Sequence, residues 1–386
     1  MVSVKAGLIE SLRQALATQP ELAADPAAMA RKIREEAGVV SDHEVLALLR
    51  QLRHDTTGAG PLEAVLALPG VTDVVVNGPK DVFFDRGRGL ERSSVAFSSE
   101  AEVRRLATRL AVSCGSRLDD AQPFADARFP RPDGSSLRLH AVLSPPADGG
   151  TCLSLRVLRQ ASTSFDDLCA NGTVAPEIEQ VLRDVVARRE SFLVLGGTGS
   201  GKTTLLSAML SEVDDSQRLV VIEDTPELRP AHPHVVGLVA RRANAEGGGE
   251  ITMSQLLRQA LRMRPDRIVV GEIRGAEVCD LLAALNTGHD GGAGTIHANS
   301  LYEVPARMEA LAALGGLDRA ALHSQLASAV GVVVSMHRGR DGVRRVEQIG
   351  LLRGNPVVAH EVWSRQRGPG ELWEEFLAGL GRRDVA

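Results

Sequence analysis

The chain has 386 residues, a formal net charge of −5 and only 3% aromatic residues. That length holds two or three domains with cores of their own. The acidic balance gives no global attraction to nucleic acid, and the scarce aromatics argue against a surface on which bases or sugars stack.

Four scattered cysteines (Cys114, Cys152, Cys169, Cys279) form no C-x-x-C pair, so reduced core thiols are expected rather than a zinc site. Lys5, Glu10 and Arg13 near the start leave no apolar core for a signal peptide. Nowhere do about 18 apolar residues run together. A soluble cytosolic protein is expected.

Residues 1–56 read as a helical appendage. Leu8, Leu12, Ala15 and Leu16 recur at helical spacing, and Ser41-Asp42-His43-Glu44 is a capping-box start before Val45, Leu46, Leu48, Leu49 and Leu52. Residues 57–160 read as a mixed α+β domain. It has strands at 71–76 and 81–85 joined by the turn Asn77-Gly78-Pro79-Lys80, a helix over 99–113, and strands at 136–143 and 152–158. Arg128, Arg138 and Arg156 fall on or beside its strands, where a solvated face or surface ion pairs is the ordinary reading.

A linker over 161–175 precedes a third segment, 176–363. There Ile178, Val181, Leu182, Val185 and Val186 make a helix face that leads into the apolar run 191–195. Next comes Gly196-Gly197-Thr198-Gly199-Ser200-Gly201-Lys202-Thr203-Thr204, which fits G-x-x-x-x-G-K-[ST] between a strand and a helix rich in Leu, Ala and Met. The glycines let successive N–H groups face a polyphosphate, and the helix N-terminus adds partial positive charge. Lys202 would meet the β/γ-phosphates and Thr203 would offer its hydroxyl to Mg²⁺. A nucleoside triphosphate is the expected ligand.

Beyond this loop apolar strands alternate with helices, which predicts a parallel sheet whose ligands bind at strand carboxyl ends. Three ends carry chemistry: Leu219–Ile222 runs into Glu223-Asp224, Ile268–Val270 into Gly271-Glu272, and Gly294–Ile296 into His297. ATP hydrolysis needs one acid for the Mg²⁺ shell and another group to activate water, and two strand-end carboxylates meet that need. Thr252-x-x-Gln255 caps a helix that Pro265 is expected to stop; helices follow over 304–314 and 318–329. The end is β-rich, with strands at 330–336, 343–352 and 356–363. Its arginines Arg338, Arg340, Arg344, Arg345 and Arg353 are read as decorating solvated hairpins. Residues 364–386 read as a loose tail with one short helix near Trp373–Leu377.

Four ordered motifs together resemble the secretion and pilus-assembly ATPases of type II and type IV secretion systems, most closely the CpaF-like tight-adherence (Tad) pilus branch. They are the Walker A loop Gly196–Thr204, an Asp-box-like run Val221–Leu228, a Walker-B-like run Arg264–Arg274, and a His-box-like run Thr287–Ser300. Gly60-Pro61-Leu62 and Val76-Asn77-Gly78-Pro79 resemble that branch upstream, so the match covers roughly 57–360. The resemblance implies an α/β fold, a RecA-like P-loop ATPase domain preceded by a PAS-like α+β domain. It implies ATP and Mg²⁺, Glu223 as general base, Glu272 in the Mg²⁺ shell, and His297 as a γ-phosphate sensor. Arg138 and Arg156 would reach the nucleotide in their own or a neighbouring subunit of a hexamer. The motor would dock on an inner-membrane platform protein at the cytoplasmic face.

Three features depart from the pattern. The four-cysteine zinc motif of type II enzymes is missing, His140 stands where asparagine is usual, and Pro130–Gly134 lengthens a hairpin. Two rivals fit less well. A RecA-like DNA translocase needs a basic, aromatic strand path, and a nucleotide-gated scaffold would not need both acids. A small GTPase would need an Asn-Lys-x-Asp reader, which does not follow the loop.

Overall fold

Two units divide the chain, Met1–Arg159 and Gln160–Ala386. The computed structural model describes residues 26–37, 45, 58–131, 133–158, 163–241, 243 and 248–382. Of the expected N-terminal helices, those over Leu8–Leu16 and Ser41–Leu52 lie outside the described residues apart from Val45. Helix α1 (Pro26–Ala37) is described, with Met29 and Ile33 buried at i and i+4.

After the short α2 (Glu63–Leu66), the first unit is one sheet under one helix. Its strands are β1 (Asp73–Asn77), β2 (Val82–Asp85), β3 (Leu90–Arg92), β4 (Phe124–Pro130), β5 (Ser136–Val142) and β6 (Cys152–Leu158). They pair antiparallel in the order β3-β2-β1-β6-β5-β4. Side chains alternate as the pleat requires. Val74 and Val76, Val82 and Phe84, Leu137 and Leu139, and Leu153 and Leu155 point to the core. There they meet Val103, Leu106, Ala107, Leu110 and Ala111 of α3 (Glu100–Ser113). Ser99 caps that helix by accepting from the Glu102 amide at 3.3 Å. The opposite parity brings Arg128, Arg138, Arg156, Asp73 and Asp85 into one row across five strands.

The second unit is a nine-stranded sheet with helices on both faces. It opens with α4 (Phe165–Ala170), inside the stretch read as a linker. Ser164 and Asp167 form a capping box there, and Phe165 and Leu168 enter the core. Then come α5 (Pro176–Ala187), β7 (Phe192–Leu195), α6 (Lys202–Leu210), β8 (Leu219–Glu223), β9 (Val235–Val239), α7 (Met253–Ala260), β10 (Arg267–Ile273), α8 (Glu277–Leu285) and β11 (Ala293–Ile296). The unit closes with α9 (Val304–Leu314), α10 (Arg319–Ala329), β12 (Val332–Arg338), β13 (Arg344–Arg353), β14 (Val358–Ser364), β15 (Gly368–Pro369) and α11 (Trp373–Arg382). Strand order is β15-β14-β13-β12-β7-β11-β10-β8-β9. The run from β12 to β9 is parallel, and β13 to β15 extend it antiparallel.

Continuous apolar runs fold this way because each strand feeds two cores. Phe192 and Val194 join one with α5 and α6, while Leu193 and Leu195 join the other with α7 to α10. Val221 and Val220 divide likewise on β8. Helix α7 ends at Ala260, well before Pro265, and the chain turns at Arg264 with φ +53°. The C-terminal helix runs longer than expected, and its Phe376 and Leu380 dock in the core beside Trp363. β9 has no fully buried residue, which is why its pattern gave no strand signal.

Truncating Phe165, 1% exposed, empties part of the core from within the stretch read as a linker. Phe165→Ala is expected to destabilise the second unit by about 3–5 kcal/mol. Urea unfolding followed through emission of the buried Trp363 measures this.

Candidate functional site

At the carboxyl end of β7 the chain leaves the sheet at Gly196, with φ +148°. A Cβ there would collide with the carbonyl oxygen of Met336 on the neighbouring β12 and stand 2.6 Å from Ser200 Oγ. Only glycine allows this exit. Helix α6 starts at Lys202, and no side chain caps it, so its first amides remain available to an anion. Lys202 is buried and folds back, its Nζ donating to the carbonyls of Gly196 (2.9 Å) and Gly197 (3.0 Å). Ser200 Oγ is buried with no hydrogen-bond partner among the described residues. Thr198 and Gly197 are exposed, and Thr203 and Thr204 are half-buried in the first turn of α6.

Two acids approach from neighbouring strands. Glu223 ends β8 and is 3% exposed; its Oε1 accepts the amides of Glu227 (2.8 Å) and Leu228 (2.9 Å). Burial pushes its pKa up, and the two amides only partly offset that. Its Cγ lies 2.6 Å from where a Gly271 Cβ would be, so β10 passes only because it has glycine there.

Glu272 lies inside β10 rather than after it, at a point where the register with β11 shifts. Arg274 Nη2 donates to its Oε2 (2.5 Å), and Arg274 Nη1 donates to Asp224 Oδ2 (2.8 Å). His297 Nε2 stands 2.8 Å from Glu272 Oε1 without hydrogen-bonding to it, and that buried oxygen has no donor among the described residues. Although burial disfavours the carboxylate, Arg274, His297 and Lys202 hold its pKa below the usual range. Burial and the Lys202 charge push the pKa of His297 down, with the Glu272 carboxylate opposing them.

Lys202, Glu272 and His297 are thus gathered within the second unit, with Asp224 and Arg274 completing an acid–base chain that the sequence reading had not assigned. Arg138 and Arg156 are gathered within the first unit, as register partners on β5 and β6. Arg138 is half-buried and Arg156 exposed. Arg344 is exposed, as read for the C-terminal arginines, but it also ties down the glycine loop: its Nε donates to the Gly199 carbonyl at 2.9 Å. Parallel pairing of β12 with β7 brings that hairpin beside the loop, a neighbourhood that spacing along the chain does not encode.

A family model described as "Type II/IV secretion system protein" matches residues 55–349. The chain belongs to the type II/IV secretion system protein family. A provisionally named conjugal transfer protein of Mycobacterium tuberculosis is 58% identical over 334 residues, covering 86% of this chain and 95% of the relative. The type IV secretion system protein VirB11 of Brucella suis is 31% identical over 316 residues, covering 74% and 86%. The crystal structure of the pilus retraction motor PilT with bound ADP superposes with a TM-score of 0.55 at 22% identity, covering 76% of this chain and 83% of that one. That likeness speaks to the mixed α/β fold.

In this family member the raised pKa of Glu223 has a stability consequence. Folded Glu223 holds its proton to higher pH than the unfolded chain does, so stability falls as pH rises between the two pKa values. Glu223→Gln keeps an Oε1 acceptor and removes that penalty. The variant is expected to be more stable than the native protein at pH 7, with the advantage gone below about pH 4. Urea midpoints across that range measure it.

Proposed function

We propose that this chain is an ATP-hydrolysing motor that powers Tad-type pilus assembly or type II/IV secretion through domain motions in a hexameric ring. The observation that carries the reading is the convergence of Lys202, Glu272 and His297 at the carboxyl ends of parallel strands, beside an uncapped helix and a glycine loop. Names of relatives support it: one is a conjugal transfer protein, one a type IV secretion system protein, and one a pilus retraction motor bound to ADP.

In this reading Gly196–Thr204 cradles the phosphates of ATP and Lys202 leaves its own loop carbonyls to meet them. Among the described residues no three His, Cys, Asp or Glu side chains converge on a metal. Magnesium suits such a site, because it takes one or two protein ligands and completes its shell from phosphate and water. The buried Oε1 of Glu272, without a donor, and the Thr203 hydroxyl are the ligands that fit. The ion would neutralise phosphate charge. Glu223 would take the proton of the attacking water, and its raised pKa brings it toward the range of a working base. His297 would sense the γ-phosphate, and Arg138 and Arg156 would stabilise charge developing on it.

We assign residues 1–56 to a helical appendage, 57–160 to a PAS-like domain, 161–175 to the joining segment, 176–363 to a RecA-like domain and 364–386 to a tail. The motor would work at the cytoplasmic face of the inner membrane on a platform protein; nucleic acid is not its substrate.

Steady-state phosphate release by the assembled protein tests this. Lys202→Ala is expected to lose ATP binding, and Glu223→Gln to bind ATP while turnover falls by about 10²–10⁴. Arg138→Ala is expected to cost roughly 10³ or more. Native turnover in Glu223→Gln would remove the base assignment.

A further inference from the structure

The β12–β13 hairpin presents its arginines in two ways. Arg345 is neutralised by Asp341 at 2.7 Å, and Arg353, at the far end of β13, by Glu375 at 2.6 Å. Arg338 and Arg344 are different. They stand directly opposite one another in the ladder, an arrangement of like charges that costs stability, and among the described residues neither has a carboxylate within ion-pairing distance.

Both side chains lie against the phosphate loop. Arg344 donates to the Gly199 carbonyl, and its aliphatic stem packs on Gly201. Arg338 Nη1 comes within 3.8 Å of where a Gly199 side chain would begin. Among the described residues three groups at or beside the loop could take an anion: the α6 amides, which no side chain caps, Ser200 Oγ, buried without a partner, and the two hairpin cations without a carboxylate. A bound polyphosphate answers all three. A guanidinium suits the task because its planar fork matches phosphate oxygens.

We infer that the β12–β13 hairpin is a second cationic wall of the nucleotide site. Arg338 contacts the diphosphate held by the loop, and Arg344 is a positioning residue that fixes the loop backbone through Gly199. This rests on the nucleotide reading of Gly196–Thr204, and the experiment separates the two.

Calorimetric titration of the full-length protein with ADP, in EDTA so that no metal enters, gives the readout. Arg338→Gln and Arg344→Gln are each expected to weaken ADP about tenfold, the worth of one charge-assisted hydrogen bond. Arg338→Lys keeps the charge and is expected within about threefold of native. Salt weakens binding less steeply in Arg338→Gln, which has lost a charge facing the ligand, than in the native protein. Arg353→Gln removes an equal charge elsewhere and should bind as the native protein does. The ADP-induced rise in Tm gives a second reading on each variant. If Lys202→Ala abolishes binding while both glutamine variants bind like native, the inference is wrong and the site reading stands. If Lys202→Ala also binds like native, the site reading fails and the inference with it.

Discussion

Among the described glycines of the second unit, the closest approach to backbone is that of Gly196 to the carbonyl of Met336. Because β7 and β12 are parallel neighbours, the residue that leaves one strand must pass the backbone of the other, and no side chain fits between them. That fixes where the loop begins. The two-sided core under β7 fixes its direction, since Leu193 and Leu195 are anchored on one face and Phe192 and Val194 on the other. The loop is therefore held by strand packing before any ligand is considered. An anion there would bring relief: among the described residues, a lysine turned onto its own carbonyls, a hydroxyl without a partner and two opposed guanidiniums stand at or beside the loop.

Electrostatics at the strand ends follow the same logic. Asp224, Arg274 and Glu272 form a run of alternating charge, with His297 at its end. Half-exposed pairs of this kind contribute little to stability on their own. Their effect is to keep Glu272 ionised in a partly buried place where burial alone would favour its neutral form. Burial pushes the pKa of Glu223 up, and two backbone amides and the Arg229 charge offset only part of that; among the described residues no cation is hydrogen-bonded to it. Two carboxylates on adjacent strands are thus driven apart in pKa by their surroundings, the arrangement expected where one must stay charged and the other must exchange a proton.

Much of this was legible in the chain. The loop motif, the apolar runs leading to Glu223, Glu272 and His297, and the helix faces at 99–113 and 178–186 all follow local rules of spacing and capping; the structure has strands and helices there, with Glu223 and Glu272 inside their strands. What escaped were features whose signal is not local. β9 is a half-exposed edge with Gly237 in its middle, and α4 is a single capped turn and a half whose burial is visible only in three dimensions. Arg344 looks like any hairpin arginine until β12 is known to lie beside β7. Arg274 sits two residues beyond Glu272, and nothing in that spacing announces that it reaches Asp224 as well.

The sheet order has a consequence for synthesis. β7 and the glycine loop leave the ribosome long before β12, yet Met336 backs the loop and Arg344 holds Gly199 from the far side. A nascent chain that has emerged only as far as β11 has the whole motif and an open flank where those contacts belong. Those contacts are therefore completed late in translation, when the last strands zip onto the edge that β7 has kept waiting.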